Sequence, residues 1–216
     1  MQVQIKNRWT GAVLFECDAP DGMESGLLMR HAAERATEAG ANLAGANLTD
    51  ANLAGANLAG ANLTDANLTD ANLAGAYLTD ANLTNANLAG ANLAGAYLTN
   101  AYLADAYLAG ANLAGANLTN ANLAGANLAD AKWRGLVINK CPIQIYGLHW
   151  AITILDEHMQ IGCELHSLAE WSAFDDKRIC SMDRSALRFW RENKDALLAM
   201  AKANGRGVAA ESAVTV

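Results

Sequence analysis

The chain has 216 residues, 52% of them apolar but only 6% aromatic, and a formal net charge of −7. That balance excludes the basic footprint of a nucleic-acid binder. No apolar stretch reaches the roughly eighteen residues of a membrane span.

In chain order, the first predicted element is a β-hairpin over residues 1–18, from the apolar runs "VQI" and "AVLFEC" around "KNRWTG". The opening "MQVQIKNRW" lacks the apolar core of a secretory signal. A helix follows in "DGMESGLLMRHAAERATEAG". Asp21 and Glu24 have the spacing of a capping box, Leu28, Ala32, Ala36 and Ala39 share a helical face, and Gly40 marks the stop. Residues 1–40 are expected to form an N-terminal cap of hairpin and helix.

Residues 41–130 repeat five residues eighteen times without a break: Ala, then Asn or Tyr, Leu, Ala or Thr, and finally Gly, Asp or Asn. The segment contains no Lys, Arg, Glu, His or Cys, and its charges are Asp50, Asp65, Asp70, Asp80, Asp105 and Asp130. A period of five fits no extended regular element. In a helix, five residues rotate the chain by roughly 500°, which smears Leu around the circumference. In a flat strand an odd period sends alternate Leu residues to opposite faces. The chain must therefore turn once per repeat. Ala and Leu, two apart, point inward; Asn or Tyr points outward; the last two positions make the corner. Stacked coils then cover one another's edges.

"ANLAG", "ANLTD" and "AYLTN" resemble the A-(D/N)-L-X-X unit of the pentapeptide-repeat proteins. The resemblance implies an all-β solenoid, a right-handed quadrilateral β-helix with four pentapeptides per coil. On that register, positions twenty apart stack. One face carries Asn52, Asn72, Asn92 and Asn112, with Gly at its corners. A second corner column holds Asp65, Asn85 and Asp105, and a third sets Asp50 beside Asp70. The fourth holds Asp80, Asn100 and Asn120 and stacks Tyr77 on Tyr97, with Tyr102 and Tyr107 on the next two faces. The register extends beyond the perfect run: "AKWRG" puts Trp133 on the Leu position, and Ile138, Ile143 and Leu148 follow it there. The solenoid is expected over 41–150.

Residues 151–216 predict an α+β C-terminal cap. "AITILDEHMQIGCEL" is a strand pair about "DEH". Ser167 and Glu170 form a capping box before a short helix with Leu168, Trp171 and Phe174. "MDRSALRFWRENKDALLAMAKANG" is the strongest helix, ended by Gly205, and "RGVAAESAVTV" is a loose tail. These ends resemble the terminal segments of some bacterial and phage pentapeptide-repeat proteins.

Few residues carry chemistry. Asp50 and Asp70 could form a weak oxygen site for a cation, but they are read as two solvated turn residues. The tyrosines could form a stacking platform, or pack across strands on an outer face. Cys163 and His166 have a Cys-x-x-His spacing, with Cys141, His149 and His158 in the same region. Zinc needs four converging ligands, and only one close pair is evident. Arg184, Arg188 and Arg191 suggest a basic helical stripe, read as a solvated face. No catalytic residue, metal site or cofactor is expected. Four widely spaced cysteines without a signal sequence point to free thiols in the cytoplasm.

Three functions compete. Uniformity at outward positions, which the fold does not demand, favours a structural scaffold with a designed consensus body between natural-looking ends, and no identifiable partner. The resemblance admits a DNA mimic that binds DNA gyrase, but six Asp over ninety residues fall far short of a duplex with a charge about every 1.7 Å. An uncharacterised bacterial or phage interaction module is the third. An enzyme has no support, since a solid Leu core leaves no cleft.

Overall fold

The structure, a computed structural model, describes residues 1–138, 140–145 and 147–207. It divides into two compact units, Met1–Cys141 and Pro142–Val216.

The first unit opens with the expected hairpin. Strand β1 (Gln2–Lys6) pairs antiparallel with β2 (Val13–Asp18), and Val3 and Ile5 are buried beneath it. Helix α1 spans Leu28–Glu38 and buries Ala32, Ala33 and Ala36. Its start differs from the sequence expectation. A single 3-10 turn, Ser25–Leu27, intervenes, so the N-cap is Leu27 and no side chain caps the helix. Asp21 and Glu24 lie too far upstream to reach the first free N–H groups of α1.

Next come the coils. Parallel bridges join Asn42 to Asn62, Asn47 to Asn67, Asn52 to Asn72 and Asn57 to Tyr77, and the pattern repeats along the body. The register is therefore twenty residues, four pentapeptides per coil. The pentapeptide at 66–70 shows why this sequence holds it. Ala66 donates to Leu63 across the corner, Asn67 to Ala46 one coil back, and Leu68 and Asp70 to Asn87 and Ala89 one coil on. The fourth amide, Thr69, donates to the Asn67 side-chain Oδ1 at 3.2 Å. All five N–H groups are satisfied, which a buried backbone requires. The second position is thus Asn because its short amide closes the corner as an Asx turn. Tyr77, Tyr97, Tyr102 and Tyr107 have no such acceptor to offer. The fifth residue takes φ between 55° and 71° in every repeat, the i+2 position of a type II turn, and Gly, Asn and Asp tolerate it best.

Inward, Ala and Leu stack into a continuous core. Leu53 through Leu98 are essentially inaccessible to solvent, and each contributes about 1.5–3 kcal/mol by burial. The expected uniform burial of Leu from 43 to 128 fails at one place, Leu118, which is half-buried. Its column ends with the Tyr97–Asn117 bridge.

The hairpin meets the first coil directly. Asn7 bridges Ala46, Arg8 donates to the Gly45 carbonyl and Asn47 to the Lys6 carbonyl. A Cβ on Gly45 would lie 2.6 Å from Asn7 Nδ2 and 2.8 Å from the Trp9 ring, so any larger residue would have to displace both side chains. Two corners on, Arg30 of α1 donates to the carbonyls of Ala54 and Gly55, and Glu34 accepts from the Asn57 amide.

At the other end Trp133 takes the Leu position as expected. Strand β3 (Asn112–Leu113) pairs parallel with β4 (Ala131–Trp133), Leu113 opposite Trp133. The expected continuation through Ile138, Ile143 and Leu148 is not found. β4 turns back antiparallel onto β5 (Leu136–Ile138). The cause is local: Arg134 and Gly135 have φ of 49° and 78°. Two successive positive values make a type I′ hairpin turn, which reverses the chain; the repeat corners have only one. Ile138 is still buried, but Ile143 belongs to a different sheet and Leu148 is exposed.

The second unit is a four-stranded antiparallel meander with three helices. Strands β6 (Ile143–Ile145), β7 (Ile152–Ile154), β8 (His158–Ile161) and β9 (Glu164–Ser167) pair in sequence order. The β7–β8 hairpin turns about Asp156–Glu157, as expected. Helix α2 (Leu168–Ala173) starts with the full Ser167–Glu170 capping box, α3 spans Asp176–Cys180, and α4 spans Ala186–Ala203. The core gathers Ile152, Ile154, Met159, Trp171, Phe189 and Trp190. Trp171 Nε1 donates to the Met159 carbonyl at 2.6 Å. The expected loose tail is held at its start: Arg206 is buried and pairs with Asp156 at 2.8 Å, and Gly207 donates to the Asp156 carbonyl; from residue 208 on it lies outside the described residues.

Candidate functional site

The outer surface of the coils is built almost entirely from groups that serve their own corner. Asn72, Asn92 and Asn112 add a ladder on one face, each side-chain Nδ2 donating to the Asn Oδ1 one coil earlier. Of the acidic residues, Asp70 leans over the next corner in its column: its Oδ1 lies 2.2 Å from where a Cβ on Gly90 would be. It is turned toward the coil after it and away from Asp50. Asp105 does the same over Gly125. Tyr77 and Tyr97 stack face to face, centroids 4.9 Å apart and planes 4° apart, each about half exposed. Tyr102 and Tyr107 stand alone between asparagines on the two following faces.

Cys163 and His166 are not brought together as a ligand pair. Cys163 is exposed in the turn before β9, whereas His166 lies within the strand. His166 instead shares its face with Glu164, to which its Nε2 is bonded at 3.0 Å, and Arg178 lies 3.7 Å from the same carboxylate. The His166 ring packs edge-on against Trp171 and Phe174. His149 sits 3.2 Å from Ser185 Oγ, and Cys141 Sγ lies 3.4 Å from the Leu123 carbonyl. Among the described residues no three His, Cys, Asp or Glu side chains converge as a metal site. Ser185, Asp183 and His149 do not make a nucleophilic triad either. Ser185 Oγ donates to Asp183 at 2.6 Å, so its proton already points at the carboxylate and not at the imidazole, the reverse of the order a nucleophile needs.

The basic stripe is also reordered. Arg184 lies before α4, Arg188 pairs with Glu192 at 2.8 Å, and Arg191 pairs with Asp176. All of these pairs are exposed, where they contribute little to stability.

What sequence reading missed is a cavity of about 340 Å³ in the second unit. Its walls include Trp150, Trp171, Phe189 and Trp190, with Cys163 and Asp183 among its polar lining. Trp150 stands edge-on to Phe189, and Trp171 tilts against Trp190. Trp190 is only 4% exposed, and its Nε1 has no hydrogen-bond partner among the described residues. The density of Trp in 150–190 was the available signal. Two hydrogen bonds from Ser185 hold the Asp183 carboxyl below the usual aspartate range, so it is ionised at neutral pH.

Comparison with known proteins addresses the repeat. The family described as pentapeptide repeats, eight copies, matches at residues 41–80, 66–103 and 101–132. A pentapeptide repeat protein of the Arabidopsis thaliana thylakoid lumen is 31% identical over 42% of this chain and 60% of its own, with a TM-score of 0.33. A pentapeptide repeat protein from Nostoc PCC 7120 is 38% identical over 44% of this chain and 74% of its own, at 0.24. QnrB1, a plasmid-mediated fluoroquinolone resistance protein, is 24% identical over 44% and 62%, at 0.31. The chain thus spans less than two thirds of the thylakoid protein and of QnrB1. No curated protein matches it. With Ala and Leu buried at five-residue spacing, a twenty-residue register and eight matched copies, the chain belongs to the pentapeptide repeat family through residues 41–132.

Proposed function

We propose that this chain is a non-catalytic structural scaffold: a right-handed quadrilateral β-helix of designed consensus sequence, with residues 1–40 as its N-terminal cap. The observation that carries this is the surface of the coils. Over ninety residues the second, fourth and fifth positions use only Asn or Tyr, Ala or Thr, and Gly, Asp or Asn. The Asn side chains bond their own corners, and the fifth residues hold a positive φ. A surface selected to recognise something needs side chains that vary from coil to coil and leave donors and acceptors unused. Repetition of self-serving groups fits a body chosen for its regularity. The four free cysteines fit a reducing compartment such as the cytoplasm.

The rival, mimicry of DNA toward gyrase, needs a dense acidic face opposite a basic one. Here one face carries no charge from Asn52 to Asn112, and exposed carboxylates are weak once screened. The test is a supercoiling assay with purified gyrase at micromolar protein. No inhibition is expected. Clear inhibition, lost when Asp65 and Asp105 are both changed to Asn, overturns the scaffold reading in favour of mimicry.

A further inference from the structure

We infer that the cavity of the second unit takes a small apolar ring molecule, about the size of two fused rings, held by burial and by no hydrogen bond. The inference goes beyond the scaffold reading, and neither depends on the other.

The cavity has a buried floor and an open mouth. Ile161, Trp171, Ile179, Ala186, Phe189 and Trp190 line it, and none is more than 7% exposed. Trp150 and Met182 are half-buried, and Cys163 and Asp183 are exposed, so these four mark the side from which a ligand enters. Size sets the occupant. The volume is about 340 Å³, whereas an apolar cavity of roughly 150 Å³ already admits benzene. One ring would leave about half the space empty, and two fused rings fill it. Trp150 stands edge-on to Phe189, and Trp171 tilts against Trp190. A further ring extends arrangements of that kind.

Polarity sets its chemistry. The Trp171 N–H is taken by the Met159 carbonyl, and the Trp190 N–H is shut off from solvent within the packed core. The other four floor side chains are hydrocarbon. Among the described side chains of the floor, none therefore offers the space a donor or acceptor. Glu164, higher on the wall, is engaged by His166 and Arg178. Asp183 takes its hydrogen bonds from Ser185 at the exposed rim, beside Arg184. A water molecule is held in a cavity by about two to four polar partners, and a polar ligand atom on this floor forfeits its bonds to water. What the floor rewards is apolar area removed from water.

Benzene, naphthalene and the naphthyridine with one nitrogen in each ring separate size from polarity. Each is titrated into the isotope-labelled full chain. The readouts are the methyl resonances of Ile161, Ile179 and Met182 and the dissociation constants. Naphthalene is expected to shift these methyls and to leave those of Leu88, in the coils, unmoved. It is expected to bind at least about tenfold more tightly than benzene, from the larger apolar area it buries. The naphthyridine has the same shape but cannot keep both nitrogens in water, so it is expected to bind about tenfold more weakly than naphthalene. Ala186→Leu enlarges a floor residue and should weaken naphthalene binding at least about tenfold. If that variant does not fold, Met182→Trp enlarges a residue of the mouth and serves the same comparison. Methyls unmoved up to the solubility limit of naphthalene overturn the proposal. So does a benzene affinity matching that of naphthalene, a naphthyridine affinity matching or exceeding it, or an unchanged naphthalene affinity in a folded variant.

Discussion

Between Ala46 and Trp133 nearly every buried residue has a copy twenty positions away, in the same environment and with the same bonds. Between Pro142 and Gly207 none does: Met159, Trp171, Phe189 and Trp190 each fill a place no other residue repeats. The repeat body gains stability by summing many equal contacts between neighbouring coils. The second unit depends on a few large side chains whose partners are distant in sequence. The difference teaches where each region is fragile. A defect in the body has identical neighbours on both sides to contain it, whereas a defect in the second unit has no substitute.

Substitutions can break or sharpen that contrast. The largest effect is expected from Leu88→Asp, which places a carboxylate at a fully buried position in the middle of the Leu column. An unpaired charge there should lower stability by more than about 4 kcal/mol, visible as a lost or strongly depressed melting transition. Wild-type melting in this variant would falsify the stacked-coil core. Trp171→Ala should cost about 3–5 kcal/mol and leave the Met159 carbonyl without its donor. Hydrogen exchange should show the loss confined to residues after 142, with the coil amides as protected as before. Deprotection that spreads equally through the coils would show that the two units unfold as one.

Smaller effects test the local rules. Asp65→Ala keeps a Cβ at φ 57° without the short polar side chain that tolerates this conformation, so a loss of about 1 kcal/mol is expected. Asp65→Gly should instead match or exceed wild type. If both variants melt together, backbone preference does not set the corners. The smallest effect concerns pH. Hydrogen bonds from Ser167 hold the Glu170 carboxyl below its ordinary value of 4.5. A carboxylate whose folded value is lowered adds stability above its unfolded value, and that stability fades as pH falls through the folded one. Denaturant midpoints between pH 6 and 3, in roughly half-unit steps, should therefore slope less for Glu170→Gln than for wild type. Parallel slopes would remove Glu170 from the acid response.

The body was legible because its information is local. Two residues, Ala and Leu, recur at a spacing that forces a turn, and Trp133 could be placed by counting alone. The end of the solenoid was not legible by counting. Ile138 keeps the right character at the right position, and the reversal is decided one turn earlier by the backbone of Arg134 and Gly135. In the second unit the Ser167–Glu170 box could be read directly, since a cap involves residues three apart. At α1 the same motif misled, because a 3-10 turn displaced the helix start past it. The cavity was invisible for another reason. Its walls come from the segment before β7, from β8, β9 and all three helices and from the turns between them, and no spacing rule joins Trp150 to Trp190.

The twenty-residue register has a consequence for changes in length. Asn7 grips the first coil at Ala46, and Trp133 closes the last over Leu113. Inserting four whole repeats adds one layer, about 4.8 Å, and returns Trp133 to the same face relative to Asn7. Inserting a single repeat leaves every inward residue inward, yet moves everything downstream one face around. Length and orientation are therefore set by different arithmetic: any multiple of five preserves the core, but only multiples of twenty preserve the angular phase between the two terminations.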